Sequence, residues 1–287
     1  MDPDPIRTVG VIGTGIMGRG LAELCLGRGR AVVLLGRSGA ALAAAREAVL
    51  RSLRLAVRRK TVAREEADAA ESRLTPAVDA AALAVCGLAV EAVVEEAAAK
   101  RDVLARAEGH LSPRALLATN TSALPVGTLA RGLARPEHFL GLHFMNPAPL
   151  VPLVECIPHA GTDPGALALA ERFTTETLGK EIVRAPDRTG FVVNRLLLGL
   201  VNQAARLLEE GGIAAGEIDR ALRLGCGHAM GPLATADAIG LDTVLRELRE
   251  LEAAYGPAYA PAPLLERLVR EGHLGRKTGR GLLQAGS

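Results

Sequence analysis

Val9-Gly10-Val11-Ile12-Gly13-Thr14-Gly15-Ile16-Met17-Gly18 is the stretch that decides the fold of this chain. A short apolar run from Ile6 to Ile12 stops at Gly13, and a helical pattern through Leu21, Leu24, Cys25 and Arg28 follows. The spacing G-x-G-x-x-G between a strand and a helix has a physical purpose. Gly13 allows a tight turn, Gly15 lets the backbone approach a pyrophosphate, and Gly18 permits close packing of helix on strand. The helix that opens at Ile16 and Met17 offers unpaired N–H groups and the positive end of its dipole to phosphates. Gly13, Gly15, Ile16, Met17 and Gly18 are therefore the expected contacts of a dinucleotide.

Working outward, a second strand, Ala31–Leu35, ends at Gly36-Arg37-Ser38. An NAD site places Asp or Glu here, about twenty residues past the glycines, to hold the ribose hydroxyls. No acid stands here; an arginine and a hydroxyl come next instead, so Arg37 and Ser38 favour NADP over NAD. In the alternative, Arg37 only stacks on adenine and NAD still binds. From Ala40 to about Arg73 the pattern is helical with a break near Lys60-Thr61, an arm at about 45–73. Arg51, Arg54 and Arg58 share one face of it, with Arg59, Lys60 and Arg64 close by. They suit the phosphates of a coenzyme A handle or an acidic carrier-protein helix, or else form a solvated face paired with Glu65 and Glu66.

Further strands are expected at Leu88–Val94, Leu116–Thr119, Phe139–Phe144, Leu150–Ile157 and Glu181–Arg184, with a helix from Pro164 to Leu178. Three of them end in polar groups: Glu95-Glu96, with Lys100 on the helix beyond; Asn120-Thr121-Ser122; and His143. Ligands bind at such strand ends in open α/β sheets. Twelve residues after His143 comes Glu155. An imidazole beside a buried carboxylate is held in one tautomer and is basic enough to take a proton from an alcohol. Nucleotide turn, hydroxyl and histidine–carboxylate pair together suggest hydride transfer at a carbon that bears oxygen. After Ala185-Pro186-Asp187 only helices are expected: Phe191–Glu210, Ala215–Leu224, Leu233–Leu251 and Pro263–Glu271. The first has a wide apolar face suited to dimer formation or to a monomer core.

Composition narrows the class. A chain of 287 residues most often makes two domains, and a net charge of +2 gives no global pull towards nucleic acid or membrane. Cys25, Cys86, Cys156 and Cys226 show no ligand spacing, so neither a metal site nor a disulfide framework is expected. The first residues, MDPDPIRTVGVIG, lack a basic lead and enter a strand at once, so no signal peptide is expected, and no apolar run free of charge is long enough to span a bilayer. A cytoplasmic setting is the expectation.

The segments VGVIGTGIMGRGLA, VEAVVEE, TNTSALPV, GLHFMNPAPLVPLVE, GFVVNRLL, GPLATADAIGLDTV and LGRKTGRGLL occur in this order through nearly the whole chain. Together they resemble the 3-hydroxyacyl-CoA dehydrogenases, the short bacterial 3-hydroxybutyryl-CoA enzymes in particular. The resemblance implies an α/β fold with a Rossmann-type N-terminal domain and a mostly parallel sheet (1–186), followed by an all-α C-terminal domain for substrate and dimerisation (187–287). It implies a homodimer that reversibly oxidises a short 3-hydroxyacyl thioester with NAD or NADP. By position His143 matches the family's catalytic histidine, Glu155 its orienting carboxylate, and Ser122 the serine on the substrate oxygen. Asn194 matches an asparagine that places the thioester, and Asn146 one near the nicotinamide. Glu95 and Lys100 match residues near the cofactor ribose, with Asn120 beside them, and Lys60 a lysine of the arm near coenzyme A.

Three departures stand out: Gly36 for the usual acid, Thr189 for a proline before GFVVNR, and GLLQ without the usual aromatic pair after the last glycine. The second should affect only the interdomain turn; the first and third keep an acyl carrier protein open as the thioester carrier, as in relatives that make methoxymalonyl or hydroxymalonyl extender units. A non-catalytic binding or crystallin-like protein is the competing class. It has no need of His143, Glu155, Ser122 and Asn194 together.

Overall fold

The computed structural model describes residues 6–284. Met1 to Pro5, the first part of the stretch on which the signal-peptide expectation rests, lie outside the described residues. The chain folds as two units that part after Arg188.

In the first unit, β1 (Thr8–Ile12), α1 (Ile16–Gly27), β2 (Ala31–Leu35), α2 (Gly39–Arg58), α3 (Arg64–Arg73) and β3 (Leu74–Ala77) come first. Then follow β4 (Leu88–Glu91), α4 (Ala97–His110), β5 (Leu116–Thr119), α5 (Val126–Ala130), β6 (Phe139–Phe144), β7 (Leu153–Ile157), α6 (Pro164–Arg172) and β8 (Glu181–Arg184). The strand order is β3-β2-β1-β4-β5-β6-β7-β8, and only the β6–β7 pair is antiparallel. Strand order therefore reverses between β1 and β4, where the loops leaving both carboxyl ends open a crevice. Val9, Val11, Leu34, Leu88, Val90, Leu116, Ala118, Leu140 and Leu142 are buried in the core of this unit. Strands covered on both faces read as near-continuous apolar runs, as these do.

Several boundaries differ from the sequence expectations. β4 stops at Glu91, not Val94, because the Glu91 carboxylate turns back to accept from the Val93 N–H at 2.6 Å and competes with the ladder. β7 starts at Leu153, not Leu150, because the Pro149 and Val151 carbonyls turn to the Lys180 ammonium at 3.2 and 2.8 Å. The α-helical hydrogen bonding of α6 ends at Arg172 and passes into a π turn, Phe173–Thr177. There the Thr174 and Thr175 hydroxyls donate to the Ala170 and Glu171 carbonyls. The apolar pattern does not predict β3; its Pro76 fits an edge strand, which has a free side.

The second unit holds α7 (Val193–Glu210), α8 (Ala215–Cys226), α9 (Pro232–Ile239), α10 (Leu241–Tyr255) and α11 (Pro263–Arg270). Leu198, Val201, Ala205, Leu233, Leu241, Val244, Leu248 and Leu265 form its own core. The single helix expected over Leu233–Leu251 is two, since Gly240 sits at φ +103°, outside helical space. The Asp219 carboxylate accepts from the Leu233 and Ala234 N–H groups at the start of α9. Asp237 does the same for Leu282 and Leu283, which locks the last turn onto α9.

Candidate active site

The glycine turn lies at the crevice. Gly13 is at φ +126°, and a Cβ there would stand 2.4 Å from the Ala92 carbonyl oxygen, so the loops after β1 and β4 touch. A Cβ at Gly18 would lie 2.0 Å from the Gly13 oxygen. At Gly15 nothing lies within 4 Å, and Gly15 begins α1 without a side-chain cap. Two glycines close the turn and the third leaves room over uncapped N–H groups; that cradle fits a pyrophosphate. Ile16 is exposed beside it and Met17 is half-buried against the core.

At the end of β2, Gly36 is packed, not open. A Cβ there would meet Thr14 Cγ2 at 2.8 Å and Leu42 Cγ at 2.9 Å. Arg37 is exposed. The Ser38 hydroxyl oxygen is the N-cap of α2, accepting from the Ala41 N–H at 3.3 Å. Its first role is thus structural, and a hydroxyl proton is left to donate.

The ends of β4 and β5 carry a buried ionic cluster. Lys100, 1% exposed, bonds to both oxygens of Glu91, at 2.8 and 3.0 Å, and lies 3.1 Å from Glu95 Oε2. Three ammonium donors meet three carboxylate oxygens, so the Lys100 ammonium is engaged inside this cluster. Glu95 Oε1 accepts from the Thr121 hydroxyl and from the Ser122 and Ala123 N–H groups at 2.9 and 3.1 Å. Burial pulls the Glu95 carboxyl up, but Lys100, Thr121 and the two N–H groups hold it below its ordinary value. Glu91, missed from the sequence, is wholly buried. Asn120 is buried too: its Oδ1 accepts from the Phe144 N–H at 2.8 Å and ties the end of β5 to that of β6.

His143 and Glu155 face each other across the antiparallel β6–β7 ladder. His143 Nδ1 lies 2.8 Å from Glu155 Oε2; the imidazole is 5% exposed and the carboxylate fully buried. A directly opposed pair puts the two side chains on one face of the sheet, and the register set by the loop 145–152 brings these two residues opposite each other. A carboxylate at Nδ1 orients the ring and favours the tautomer with its proton on that nitrogen. Asn146, two residues past β6, is exposed.

A cavity of about 360 Å³ lies between α1, α2 and the loop Asn146–Leu150, with Arg19, Glu23, Ser52 and Arg59 in its lining. Of the arm's basic residues only Arg59 reaches it. Arg51, Arg54 and Lys60, expected at the substrate, lie outside its lining on an exposed face. Arg51 bonds Glu47 at 3.3 Å, one helical turn away, and Glu66 bonds Arg73 instead of Arg51, Arg54 or Arg58. Periodicity put the arginines on one face, but it does not say which one turns inward. Burial raises the Glu23 carboxyl, against the lowering by the Ser52 hydroxyl and by Arg59.

In the helical unit, Asn194 stands in the first turn of α7, and its Nδ2 donates to Glu247 Oε2 at 3.0 Å. The Thr189 carbonyl accepts from the Tyr255 hydroxyl at 2.9 Å, and the Arg195 guanidinium stacks 3.9 Å above that ring. Among the described residues no group of three or more His, Cys, Asp or Glu side chains is set to hold a metal, and no helix is long and apolar enough to cross a membrane.

Residues 8–188 match the family model described as 3-hydroxyacyl-CoA dehydrogenase, NAD binding domain, and residues 190–285 the model of its C-terminal domain. A 3-hydroxybutyryl-CoA dehydrogenase of Mycobacterium tuberculosis is 41% identical over 280 residues, 97% of this chain and 98% of the relative. The crystal structure of M. tuberculosis FadB2 superposes with a TM-score of 0.93 at 40% identity, covering 96% of this chain and 98% of that one. That of (S)-3-hydroxybutyryl-CoA dehydrogenase PaaH1 from Ralstonia eutropha gives 0.90 at 36%, with the same coverage.

Proposed function

The chain belongs to the 3-hydroxyacyl-CoA dehydrogenase family, and from that premise we propose that it interconverts a short 3-hydroxyacyl-CoA and its 3-oxoacyl-CoA, with His143 as the proton acceptor and donor. The observation that carries this reading is the buried His143–Glu155 pair at 2.8 Å. In the oxidation direction His143 Nε2 takes the proton of the 3-hydroxyl, and Glu155 stabilises the imidazolium that results. Ser122 donates to the oxygen as its charge develops, which lowers the barrier. Asn194 belongs to the proposal on its motif position alone, as a residue that places the thioester. The glycine cradle and the uncapped start of α1 hold the nicotinamide dinucleotide, which accepts or gives the hydride when bound. Glu95 and Asn146 serve as its further contacts.

The proposal extends to NADP as the preferred cofactor. Gly36 presents no carboxylate to repel a 2′-phosphate, and Arg37 stands exposed one residue on. It extends also to a homodimer: Leu196 and Leu207 on α7 and Leu224 on α8 remain exposed, and light scattering should give twice the 29.8 kDa chain mass. A second reading has one observation in its favour. Arg51, Arg54 and Lys60 lie outside the cavity lining, which suits the acidic surface of a carrier protein better than a handle inside the cavity. Replacing all three by alanine should leave the Michaelis constant for a CoA thioester unchanged on that reading, and raise it if they hold coenzyme A.

The catalytic assignment is tested with His143→Ala and Glu155→Gln. Turnover should fall by roughly 10²–10⁴-fold in the first, the range for loss of a positioned acid–base group, with NAD(P)H binding by fluorescence retained. Glu155→Gln should fall in the same direction, because an amide does not stabilise the imidazolium. Turnover unchanged in His143→Ala would end the assignment.

A further inference from the structure

The glutamate that closes β4 is wholly buried, and its carboxylate is fully engaged by neighbouring donors. Its Oε1 accepts from the Val93 N–H at 2.6 Å and from the Lys100 ammonium at 2.8 Å. Its Oε2 accepts from the Thr119 hydroxyl at 2.6 Å and again from Lys100 at 3.0 Å. Lys100 reaches on to Glu95 Oε2, and the other oxygen of Glu95 holds the Thr121 hydroxyl and the Ser122 and Ala123 N–H groups. An unbroken series of charged contacts thus runs from the end of β4 to the turn that presents Ser122. Two carboxylates share one ammonium, so removing either acid changes the charge balance felt by the other.

We propose that Glu91 is a positioning residue for Ser122, acting through Lys100 and Glu95. This rests on the reading above, in which Ser122 meets the substrate oxygen. Glu91 itself touches neither substrate nor cofactor. Its two oxygens fix where the Lys100 ammonium sits, Lys100 fixes the angle of the Glu95 carboxylate, and that carboxylate sets the Ser122 backbone. With Glu91 neutral, the ammonium is drawn to Glu95 alone and the turn shifts. A displacement well under 1 Å at a residue that aligns a reacting oxygen is enough to slow turnover.

The test is a double-mutant cycle on the full chain, with turnover and NADH binding by fluorescence as separate readouts. Glu91→Gln, which keeps the shape and removes the charge, should lower kcat by roughly tenfold and weaken NADH binding by a clearly smaller factor, about threefold, since Glu95 also meets the cofactor. In a Ser122→Ala background the same change should cost less than about twofold, since the group being positioned is gone. Thr119→Val, which withdraws one hydroxyl from Glu91 and leaves every charge in place, should act in the same direction by roughly threefold and serves if Glu91→Gln does not fold. A full tenfold loss in both backgrounds would overturn the positioning role while leaving the site assignment intact. A loss of NADH affinity equal to the loss of turnover would overturn it as well, and assign the cluster to the cofactor. Ser122→Ala with unaltered turnover would instead remove the substrate role of Ser122, and the proposal with it.

Discussion

Gly36 shows how much one side chain decides. The missing acid is plain in the sequence, but the reason it cannot simply be put back is spatial: Thr14 and Leu42 occupy the space a Cβ would need. Gly36→Asp should therefore destabilise the protein by about 1–3 kcal/mol through overpacking, and should not by itself confer a preference for NADH. Arg37→Ala should raise the Michaelis constant for NADPH roughly tenfold, the worth of one charge-assisted hydrogen bond, and leave that for NADH nearly unchanged. Steady-state rates with both cofactors check the pair; an equal effect on NADH would reduce Arg37 to a surface residue. His143 and Glu155 could be read as a pair because both stand in the one segment GLHFMNPAPLVPLVE, while the antiparallel register that makes their contact direct was not legible. Glu91 could not be singled out. In Val90-Glu91-Ala92-Val93-Val94-Glu95-Glu96 three acids follow an apolar run, and only the point where the strand ends tells which carboxylate is buried.

The strands and helices of the first unit follow apolar runs closely, so most elements were legible to within a few residues. What failed was local competition with the backbone: a carboxylate that ended β4, a lysine that delayed β7, hydroxyls that loosened the end of α6. None of these changes hydrophobic periodicity, which is why periodicity did not announce them. The break between α9 and α10 is similar, since a lone glycine inside a helical pattern is often tolerated. At φ +103°, however, Gly240 is required by the backbone, and a Cβ would also press within 2.5 Å of the Lys277 side chain that bonds Asp242. Gly240→Ala should cost about 1–3 kcal/mol in urea denaturation. A variant as stable as the parent would mean that the two helices can fuse without loss.

At the scale of the molecule, each unit carries its own core, and the motifs that run through both made the family legible although length and composition did not. Charge is nearly balanced, so acid stability rests on particular carboxylates. Glu95 is held below its ordinary value of 4.5 and Asp242, beside Lys277, below 3.8. Acids depressed in the folded state stabilise it fully above their ordinary values, and that contribution is lost as the pH falls below 4.5 and 3.8 through the lowered values. Glu95→Gln should flatten the acid limb of a stability–pH curve, and a limb of unchanged steepness would place the acid sensitivity elsewhere. The central claim is tested most directly by one initial-rate measurement, acetoacetyl-CoA with NADPH and with NADH, followed as cofactor oxidation. The proposed NADP preference predicts turnover with both cofactors that is faster with NADPH, and the proposed role of His143 predicts its loss in His143→Ala. A protein that binds both cofactors and leaves acetoacetyl-CoA untouched would contradict the account.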